Sequence, residues 1–255
     1  MNVFGNYARY YNLLYQDKDY KAEAEYINGL IQEYLPGSRS ILDLGCGSGK
    51  HAIELAAKGY TITGVDKSEK MVSAAHVATQ THSPKQAPPL FVCADIRSLR
   101  LDRLFDVVIS LFHVMSYQTT NEDLQKAIET AASHLKEGGI FIFDSWYGPG
   151  VLTDPPSVRI KRVEDKDIIV TRIAEPKMHF HENIVVVDYH MFIRDKHTQL
   201  VEEIQEKHTM RYLFLPEVKG LLESKGFELS AFMEFMRKGP PQNGAWNALF
   251  IGRKK

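Results

Sequence analysis

Three glycines at alternate positions form the clearest candidate for a ligand-binding turn in this chain. Gly45, Gly47 and Gly49 follow the apolar run 40–44 without interruption. Glycine lets the backbone bend sharply and lets a ligand approach the main chain closely, so this turn is suited to cradling a cofactor. Asp66 ends the next apolar run, about twenty residues further on, where a carboxylate can accept hydrogen bonds from ribose hydroxyls. Together these residues predict a site for an adenosine-type cofactor.

The spacing also separates two classes of adenosine cofactor. A nicotinamide or flavin fingerprint needs a glycine at the sixth position of the turn, and counting from Gly45 that position is Lys50. The segment 43–49, DLGCGSG, instead resembles motif I of class I S-adenosylmethionine-dependent methyltransferases, and Asp66 resembles the acidic ribose-binding position of that family. The resemblance implies S-adenosyl-L-methionine as the cofactor and S-adenosyl-L-homocysteine as the product.

The same resemblance implies further cofactor contacts. Asp95 and Ile96 match the family position that contacts adenine, although Asp95 could instead cap the turn that follows it. Tyr11 and Tyr20 belong to a tyrosine-rich segment, and they either cover the cofactor or pack a helix face onto the domain. The predicted cofactor contacts are Tyr11, Tyr20, Gly45, Cys46, Gly47, Asp66, Lys67, Met71, Asp95, Ile96 and Leu111.

Methyl transfer needs an oriented and unprotonated nucleophile, so a general base near the acceptor is useful. His113 ends the apolar run 105–113, which reads as the fourth strand, and we predict that it is the catalytic residue. A hydrogen-bonded structural histidine is the alternative. His179 and His181 are two residues apart in an extended segment, which would place both on one face. Because no third ligand can be placed, we predict no metal site and read them as strand surface or substrate lining.

Two segments indicate the class of acceptor. The run 9–15, RYYNLLY, resembles the N-terminal lid of small-molecule methyltransferases, particularly the nucleotide-sugar N-methyltransferases. The run 202–211, EEIQEKHTMR, is similar to the strand before the last helix in amino-sugar N-methyltransferases, so Arg211 is kept as a phosphate contact. Arg172 is read as a charged strand edge, as sheets commonly carry. The predicted substrate contacts are Tyr15, Trp146, His179 and Arg211.

Alternating strand and helix patterns up to residue 143 predict an α/β fold. We expect a doubly wound, seven-stranded, mostly parallel sheet of the class I methyltransferase type, with an appended antiparallel β-sheet. The expected organisation is an N-terminal helical lid over 1–36 and a Rossmann-like cofactor-binding domain over 37–147 and 212–255. Residues 148–211 are expected to form an inserted antiparallel subdomain that serves as a substrate cover or a dimer interface.

Composition narrows the class of partner. The 255 residues carry a formal net charge of −1, so no broad attraction to a phosphate backbone is expected and a nucleic-acid partner is disfavoured. The chain has no long apolar run and no signal-peptide pattern, from which we expect no membrane partner and a cytoplasmic location. Its two cysteines exclude a disulfide framework. Either a monomer or a homodimer is compatible with the sequence.

The sequence thus predicts an S-adenosylmethionine-dependent methyltransferase that acts on an amine or hydroxyl of a small soluble molecule. A nucleotide-linked amino sugar is the favoured acceptor. Two alternatives stay open at this point. One is a methyltransferase of a small amine or amino acid, and the other is a non-catalytic S-adenosylmethionine-binding module with a protein partner.

Overall fold

A computed structural model describes residues 10, 11, 13–81 and 87–255 of the chain. The first nine residues of the expected lid therefore lie outside the described residues. In chain order the strands are β1 (Ser40–Leu44), β2 (Thr61–Asp66), β3 (Leu90–Cys93), β4 (Phe105–Ser110), β5 (Leu135–Trp146), β6 (Arg159–Glu164), β7 (Ile168–His179), β8 (Ile184–Asp195), β9 (Val201–Arg211), β10 (Phe227–Glu234) and β11 (Asn247–Lys254).

Helices connect these strands. They are α1 (Tyr20–Tyr34), α2 (Lys50–Ala56), α3 (Glu69–Thr81), α4 (Asn121–His134), α5 (Gly148–Thr153) and α6 (Leu215–Ser224). A short 3-10 helix, Val114–Tyr117, follows β4. The apolar residues of α1 and α2 pack on one face of the larger sheet and those of α4 and α6 on the other, so that sheet is covered on both sides.

The larger sheet, sheet A, has seven strands in the order β10-β11-β5-β4-β1-β2-β3. The strands from β5 to β3 run parallel, whereas β11 is antiparallel to both of its neighbours, β5 and β10. All five residues of β1 are buried, as a strand covered by helices on both faces requires. The predicted doubly wound, mostly parallel sheet is confirmed.

The smaller sheet, sheet B, has four antiparallel strands in the order β6-β7-β8-β9. Its inner face is defined by Ile168, Val170, Met191 and Ile193, which pack against the helical residues Tyr10, Leu13 and Leu14. The described residues of the expected lid that precede α1 are therefore packed on sheet B. The predicted appended antiparallel sheet is confirmed.

Several local predictions were wrong, each for a physical reason. The fifth strand was expected at 140–143, but α4 ends at His134 and β5 starts at Leu135, because a register irregularity against β4 accommodates Gly138 at φ +74°. The side chain of Thr120 caps α4 by accepting from the backbone N of Asp123. His181 was expected in an extended segment, but β7 ends at His179 and residues 180–183 form a hairpin turn.

A short helix, α5, lies in the segment 147–157, where only a Gly- and Pro-rich loop was expected. It connects sheet A to sheet B directly after β5. Its Gly150 packs against the main chain of the segment before β11, so an added Cβ would lie 1.9 Å from the carbonyl O of Ala245. None of the helices among the described residues has the length and apolarity needed to cross a membrane.

The close packing at Gly150 and the open space at Gly220 predict opposite changes in the free energy of unfolding when each glycine is replaced by alanine. Gly150→Ala should lower the free energy of unfolding by about 1–3 kcal/mol or more, because backbone must shift to relieve the overlap. Gly220→Ala, in α6 with open space around the added methyl group, should raise it by about 1 kcal/mol through helix propensity. Urea unfolding measures both values, and equal effects of the two substitutions would contradict the packing described here.

Candidate active site

The glycine turn is folded back onto the end of β2. The backbone N of Gly45 and that of Cys46 donate to the carbonyl O of Val65 at 2.7 and 2.9 Å, and the N of Gly47 donates to Oδ2 of Asp66 at 2.9 Å. Gly45 and Gly47 have φ values of +82° and +54°, which favour glycine. The turn is thus held in one shape by the strand that carries Asp66.

The turn is packed on one side and open on the other. An added Cβ at Gly45 would lie 2.5 Å from methyl groups of Val114, and one at Gly49 would lie 2.6 Å from the ring of Phe91. No described atom lies within 4 Å of an added Cβ at Gly47. A ligand can therefore approach the main chain at Gly47, as the cofactor prediction requires.

Asp43 is a buried carboxylate in β1 that the sequence interpretation did not select. Its Oδ2 has no hydrogen-bond partner among the described residues, and its side chain is almost fully enclosed. Burial and the nearby negative charge of Asp66 raise the pKa of Asp43 to about 7. An acceptor left in this state is completed by a cationic or hydrogen-donating ligand group.

Asp66 lies at the end of β2, as predicted. Its Oδ1 accepts from the backbone N of Ser68 at 2.9 Å, while Oδ2 holds Gly47. Each oxygen keeps a second lone pair that can accept a ribose hydroxyl. Lys67 next to it is exposed, and Met71 is half-buried in the first turn of α3.

Asp95 behaves as the alternative interpretation expected. Its Oδ1 accepts from the backbone N of Arg97 at 2.9 Å, and its carboxylate binds the Arg97 guanidinium through Nε and Nη2. The hydrogen bonds from Arg97 lower the pKa of Asp95 to about 2. Ile96 is buried against β2 and the 3-10 helix. No described contact tests the predicted adenine role of Asp95 and Ile96, which stays a prediction.

His113 was predicted to end the fourth strand, but β4 ends at Ser110, and His113 lies three residues further on, before the 3-10 helix, where it faces an acid. Its Nδ1 is 2.7 Å from Oδ2 of Asp144, and its backbone N donates to Oδ1 of the same carboxylate at 3.1 Å. The two side chains are within ion-pair distance, but Nδ1 and Oδ2 are not aligned for a hydrogen bond, and neither atom has a hydrogen-bond partner among the described residues. Burial raises the pKa of Asp144, but the charge and hydrogen bonds of His113 outweigh it, so the pKa lies below its ordinary value.

The backbone at this point is unusual for non-glycine residues. Phe112 and His113 have φ values of +65° and +64°, which side chains other than glycine rarely adopt. Strain of this kind persists where the surrounding structure imposes it. The two contacts from His113 to Asp144 supply that constraint, so Asp144 orients both the main chain and the imidazole.

Aromatic rings of the lid segment cover this edge of sheet A. Tyr15 lies edge-on to Phe112 with 5.4 Å between ring centroids, and Tyr11 lies 4.7 Å from Tyr15. The ammonium of Lys18 lies 4.3 Å from the Phe112 ring centroid and 5.1 Å from that of Tyr20. The ammonium group of Lys18 therefore lies between the ring of Tyr20 and that of Phe112, close to the end of β4.

An ion pair binds the lid helix to the helix after the glycine turn. Oε2 of Glu23 in α1 lies 2.7 Å from Nε2 of His51 in α2, and Lys18 binds the same carboxylate. Burial raises the pKa of Glu23, but these bonds outweigh it and the pKa is lowered. Tyr20 stacks edge-on to His51 at 5.0 Å, which places it beside the turn.

Of the remaining predicted site residues, one lies near His113 and two are buried in the core at the glycine turn. Trp146 lies at the end of β5, with its ring 6.4 Å from that of His113. Leu111 and Cys46 are buried in the core beneath the glycine turn. Their positions are compatible with the predicted contacts but do not test them.

The structure does not bring Arg211 and His179 to this group. Arg211 is buried and binds the carboxylate of Glu217 and the carbonyl O of Thr119, so it connects β9 to α6. His179 lies on the outer face of sheet B and pairs with Glu182 at 3.4 Å. Their predicted substrate contact has no support in this geometry, because tertiary packing rather than sequence order decides which face each occupies.

The sequence interpretation missed Asp43, Asp144 and the Glu23–His51 pair. Asp144 could have been found by the rule that selected Asp66 and Asp95, because it too follows the apolar part of a parallel strand, where open α/β sheets bind ligands. The Glu23–His51 pair joins elements far apart in the sequence and leaves no local signal.

Comparisons with known proteins agree with this geometry. Residues 41–139 match the family model of a methyltransferase domain. The chain is 30% identical over 200 residues to a Bacillus subtilis protein named "Putative methyltransferase YqeM", covering 78% of this chain and 77% of that protein. The chain belongs to the class I S-adenosylmethionine-dependent methyltransferases and is an enzyme of that class.

Two further relatives have names that include an amino sugar or a sugar as the methyl acceptor. One is the dTDP-3-amino-3,4,6-trideoxy-alpha-D-glucopyranose N,N-dimethyltransferase of Streptomyces venezuelae, 27% identical over 251 residues and matched over 97% of both chains. The other is the crystal structure of the sugar N-methyltransferase KedS8 from Streptoalloteichus, with a TM-score of 0.80 and 27% identity, covering 96% of this chain and 92% of that one.

The residues at the glycine turn fit S-adenosylmethionine. Gly47 leaves its main chain accessible, Asp66 has lone pairs for the ribose, and the unpartnered Oδ2 of Asp43 suits the amino group of the methionine part. The carboxylates at this edge also suit a cofactor that carries a positive sulfur. These residues would hold the cofactor, which supplies an electrophilic methyl group when bound.

We predict that the Asp43 carboxylate lowers the stability of the ligand-free protein near neutral pH but strengthens the binding of S-adenosylmethionine. Because the folded state holds the Asp43 proton up to a pKa of about 7, the ligand-free protein loses stability as pH rises from about 4 to about 7. Asp43→Asn removes this loss, so its free energy of unfolding relative to wild type should rise by about 2–3 kcal/mol between pH 5 and pH 8. Urea unfolding at both values measures it, and parallel pH curves for the two proteins would contradict the burial of a charge here.

The same substitution should weaken S-adenosylmethionine binding by about tenfold or more, because it removes the acceptor for a charged donor. Calorimetric titration measures this change. Unchanged affinity in Asp43→Asn would show that Oδ2 does not face the cofactor.

Proposed function

We propose that this methyltransferase transfers a methyl group from S-adenosylmethionine to the amino group of a nucleotide-linked sugar. The main structural support for this proposal is the His113–Asp144 pair after β4, next to the open glycine turn. The names of the Streptomyces dimethyltransferase and of KedS8 support the class of acceptor. An amine needs one proton removed before it can attack carbon, and His113 is the residue positioned to accept it.

The proposed reaction assigns one role to each residue. Asp144 lies 2.7 Å from Nδ1 of His113 and favours a proton on that nitrogen, which leaves Nε2 as the proton acceptor. His113 takes a proton from the sugar ammonium, and the freed lone pair forms the N–C bond as the C–S bond of the cofactor breaks. The electron pair of the broken bond stays on sulfur, which neutralises the sulfonium. Phe112 and Trp146 flank the histidine and exclude water.

The expected organisation of the chain becomes part of this proposal. Residues 1–36 serve as the lid, 37–147 and 212–255 hold the cofactor, and 148–211 cover the substrate. The packing of Tyr10, Leu13 and Leu14 on the inner face of sheet B supports a cover in which lid and insertion act together. We place the reaction in the cytoplasm, with no nucleic-acid or membrane partner, in a monomer or homodimer.

A substrate panel tests the proposed acceptor. Release of S-adenosylhomocysteine is measured with dTDP-linked amino sugars, the same sugars without nucleotide, dTDP-linked sugars bearing only hydroxyls, and small amino acids. Turnover confined to the dTDP-linked amino sugars is the expected result. Turnover with amino acids would favour the small-amine alternative, and cofactor binding without any turnover would favour a non-catalytic binding module.

The His113–Asp144 pair predicts a pH-dependent loss of activity. His113→Gln and Asp144→Asn should each lower kcat about tenfold to a hundredfold near pH 7, where the acceptor amine is protonated. The loss should shrink toward pH 9, because the amine then loses its proton to solvent. Initial rates across this pH range measure the effect, with cofactor affinity checked by calorimetry.

His190→Gln is the matched control, because His190 lies on the outer face of sheet B and pairs with Glu203 at 2.5 Å. It should leave the pH profile unchanged. A uniform loss at every pH in His113→Gln would assign the histidine to orientation of the acceptor instead of proton transfer.

A further inference from the structure

Arg172 is a cation of sheet B that has no acidic partner among the described residues. It lies in the middle of β7, opposite Met191 of β8, and therefore on the inner face of the sheet. Its described hydrogen bond is from Nη1 to the hydroxyl of Tyr15, at 3.3 Å. The side chain is half-buried, and its Nε is fully buried without a partner. A charge taken out of water without a partner is costly, so such a group is normally completed by a ligand.

The unfilled part of Arg172 is the edge that binds planar anions. Nε and Nη2 point the same way from a guanidinium, and together they can donate two parallel hydrogen bonds to a carboxylate or phosphate. Within the described part of the chain neither atom of Arg172 donates to a protein acceptor. Arg97 uses this same edge to bind both oxygens of Asp95. The two arginines differ in that the acceptor of Arg172 is absent from the described protein.

The other basic residues around Arg172 are already paired. Lys161 faces it across β6 and β7, but its Nζ binds the carbonyl O of Leu14 and lies 3.1 Å from Asp17. Arg211, the residue that the sequence suggested as the phosphate contact, lies further along the sheet, opposite Ile184, and is paired with Glu217, although its Nε also lacks a partner among the described residues. Arg172 therefore provides the unpaired guanidinium edge at this place.

Two tyrosines hold the guanidinium in position. Its central carbon lies 4.8 Å from the ring centroid of Tyr189 on β8 and 5.8 Å from that of Tyr15. Contact with aromatic faces fixes the plane of an arginine while leaving its donor edge available. Tyr15 also contacts Phe112, which precedes His113, so a chain of ring contacts joins Arg172 to the proposed site of methyl transfer.

We propose that Arg172 binds the diphosphate group of the substrate through its guanidinium group. This inference rests on the proposed function and assigns the nucleotide-linked part of the acceptor to the inner face of sheet B. The carboxylate of the cofactor is the other anion that could reach the site. Lys50 is better placed for that group, because its ammonium group lies 4.8 Å from the ring of Tyr20 beside the glycine turn.

Binding of dTDP, thymidine and inorganic pyrophosphate to the full-length protein tests the proposal by calorimetry. Arg172→Gln should weaken dTDP and pyrophosphate binding by about tenfold to a hundredfold, because charge-assisted hydrogen bonds are lost. Thymidine binding and S-adenosylmethionine binding should not change. The matched control is Arg162→Gln, because Arg162 is exposed on the adjacent strand and faces the outer side of the sheet.

Arg172→Lys keeps the charge and loses the bidentate edge, so it should fold normally and show an intermediate loss. If Arg172→Gln does not fold, the lysine variant alone decides the question. Unchanged dTDP affinity in the lysine and glutamine variants, or no dTDP binding by the wild-type protein, would overturn the proposal. A loss confined to S-adenosylmethionine would assign Arg172 to the cofactor carboxylate and would overturn it too.

Failure of this inference is distinguishable from failure of the proposed function. Turnover of dTDP-linked amino sugars with an unchanged KM in Arg172→Gln would retain the function and reject the arginine contact. If Arg172→Gln weakens dTDP and pyrophosphate binding but the wild-type protein does not turn over dTDP-linked amino sugars, the anion site is retained and the proposed acceptor is rejected. The expected result is a KM for the nucleotide sugar raised about tenfold or more, with kcat changed much less.

Discussion

Three hydrogen bonds hold the glycine turn against the end of β2, and the cofactor site depends on them. The Val65 carbonyl accepts from Gly45 and Cys46, and the Asp66 carboxylate accepts from Gly47. Because the same carboxylate fixes the turn and faces the place expected for ribose, the shape of the loop and the recognition of the cofactor share one residue. The cost is a buried acid nearby, since the charge of Asp66 contributes to keeping Asp43 protonated.

Charge is divided across the proposed site in a way that matches both reactants. The edge of sheet A carries carboxylates that favour a sulfonium and a protonated amine, among them Asp66 and Asp144. The inner face of sheet B presents the unpaired guanidinium edge of Arg172, which favours an anion. A nucleotide-linked amino sugar has an amine at one end and a diphosphate at the other, so its charges match these two surfaces.

The lid and the inserted sheet form one structural unit in this fold. Tyr10, Leu13 and Leu14 share a hydrophobic cluster with β7 and β8, and Tyr10 donates a hydrogen bond to Glu206 of β9 at 3.2 Å. At its other end the lid leads into α1, where Glu23 binds His51 behind the glycine turn. Residues between these anchors, including Tyr15 and Lys18, therefore connect the cofactor side of the site with the proposed substrate side.

Local sequence was sufficient for the features that depend on short-range chemistry. The glycine spacing, the missing glycine at Lys50 and the acid at Asp66 indicated the methyl donor, and strand periodicity predicted both sheets. Element ends were less accurate, as at His134 and Leu135, because a strand irregularity overrode the helix-ending signal of Gly138.

Sequence alone therefore determined the fold, the cofactor class and the position of His113 near the end of β4. The tertiary structure decided which charged residues are paired, and this reversed the interpretation of two arginines. Arg211 is paired with Glu217, whereas Arg172, between two tyrosines, has no acidic partner among the described residues. The physical reason is that counter-ions come from distant parts of the chain: a residue's type and spacing show what it can bind, and only packing shows whether the protein has already bound it.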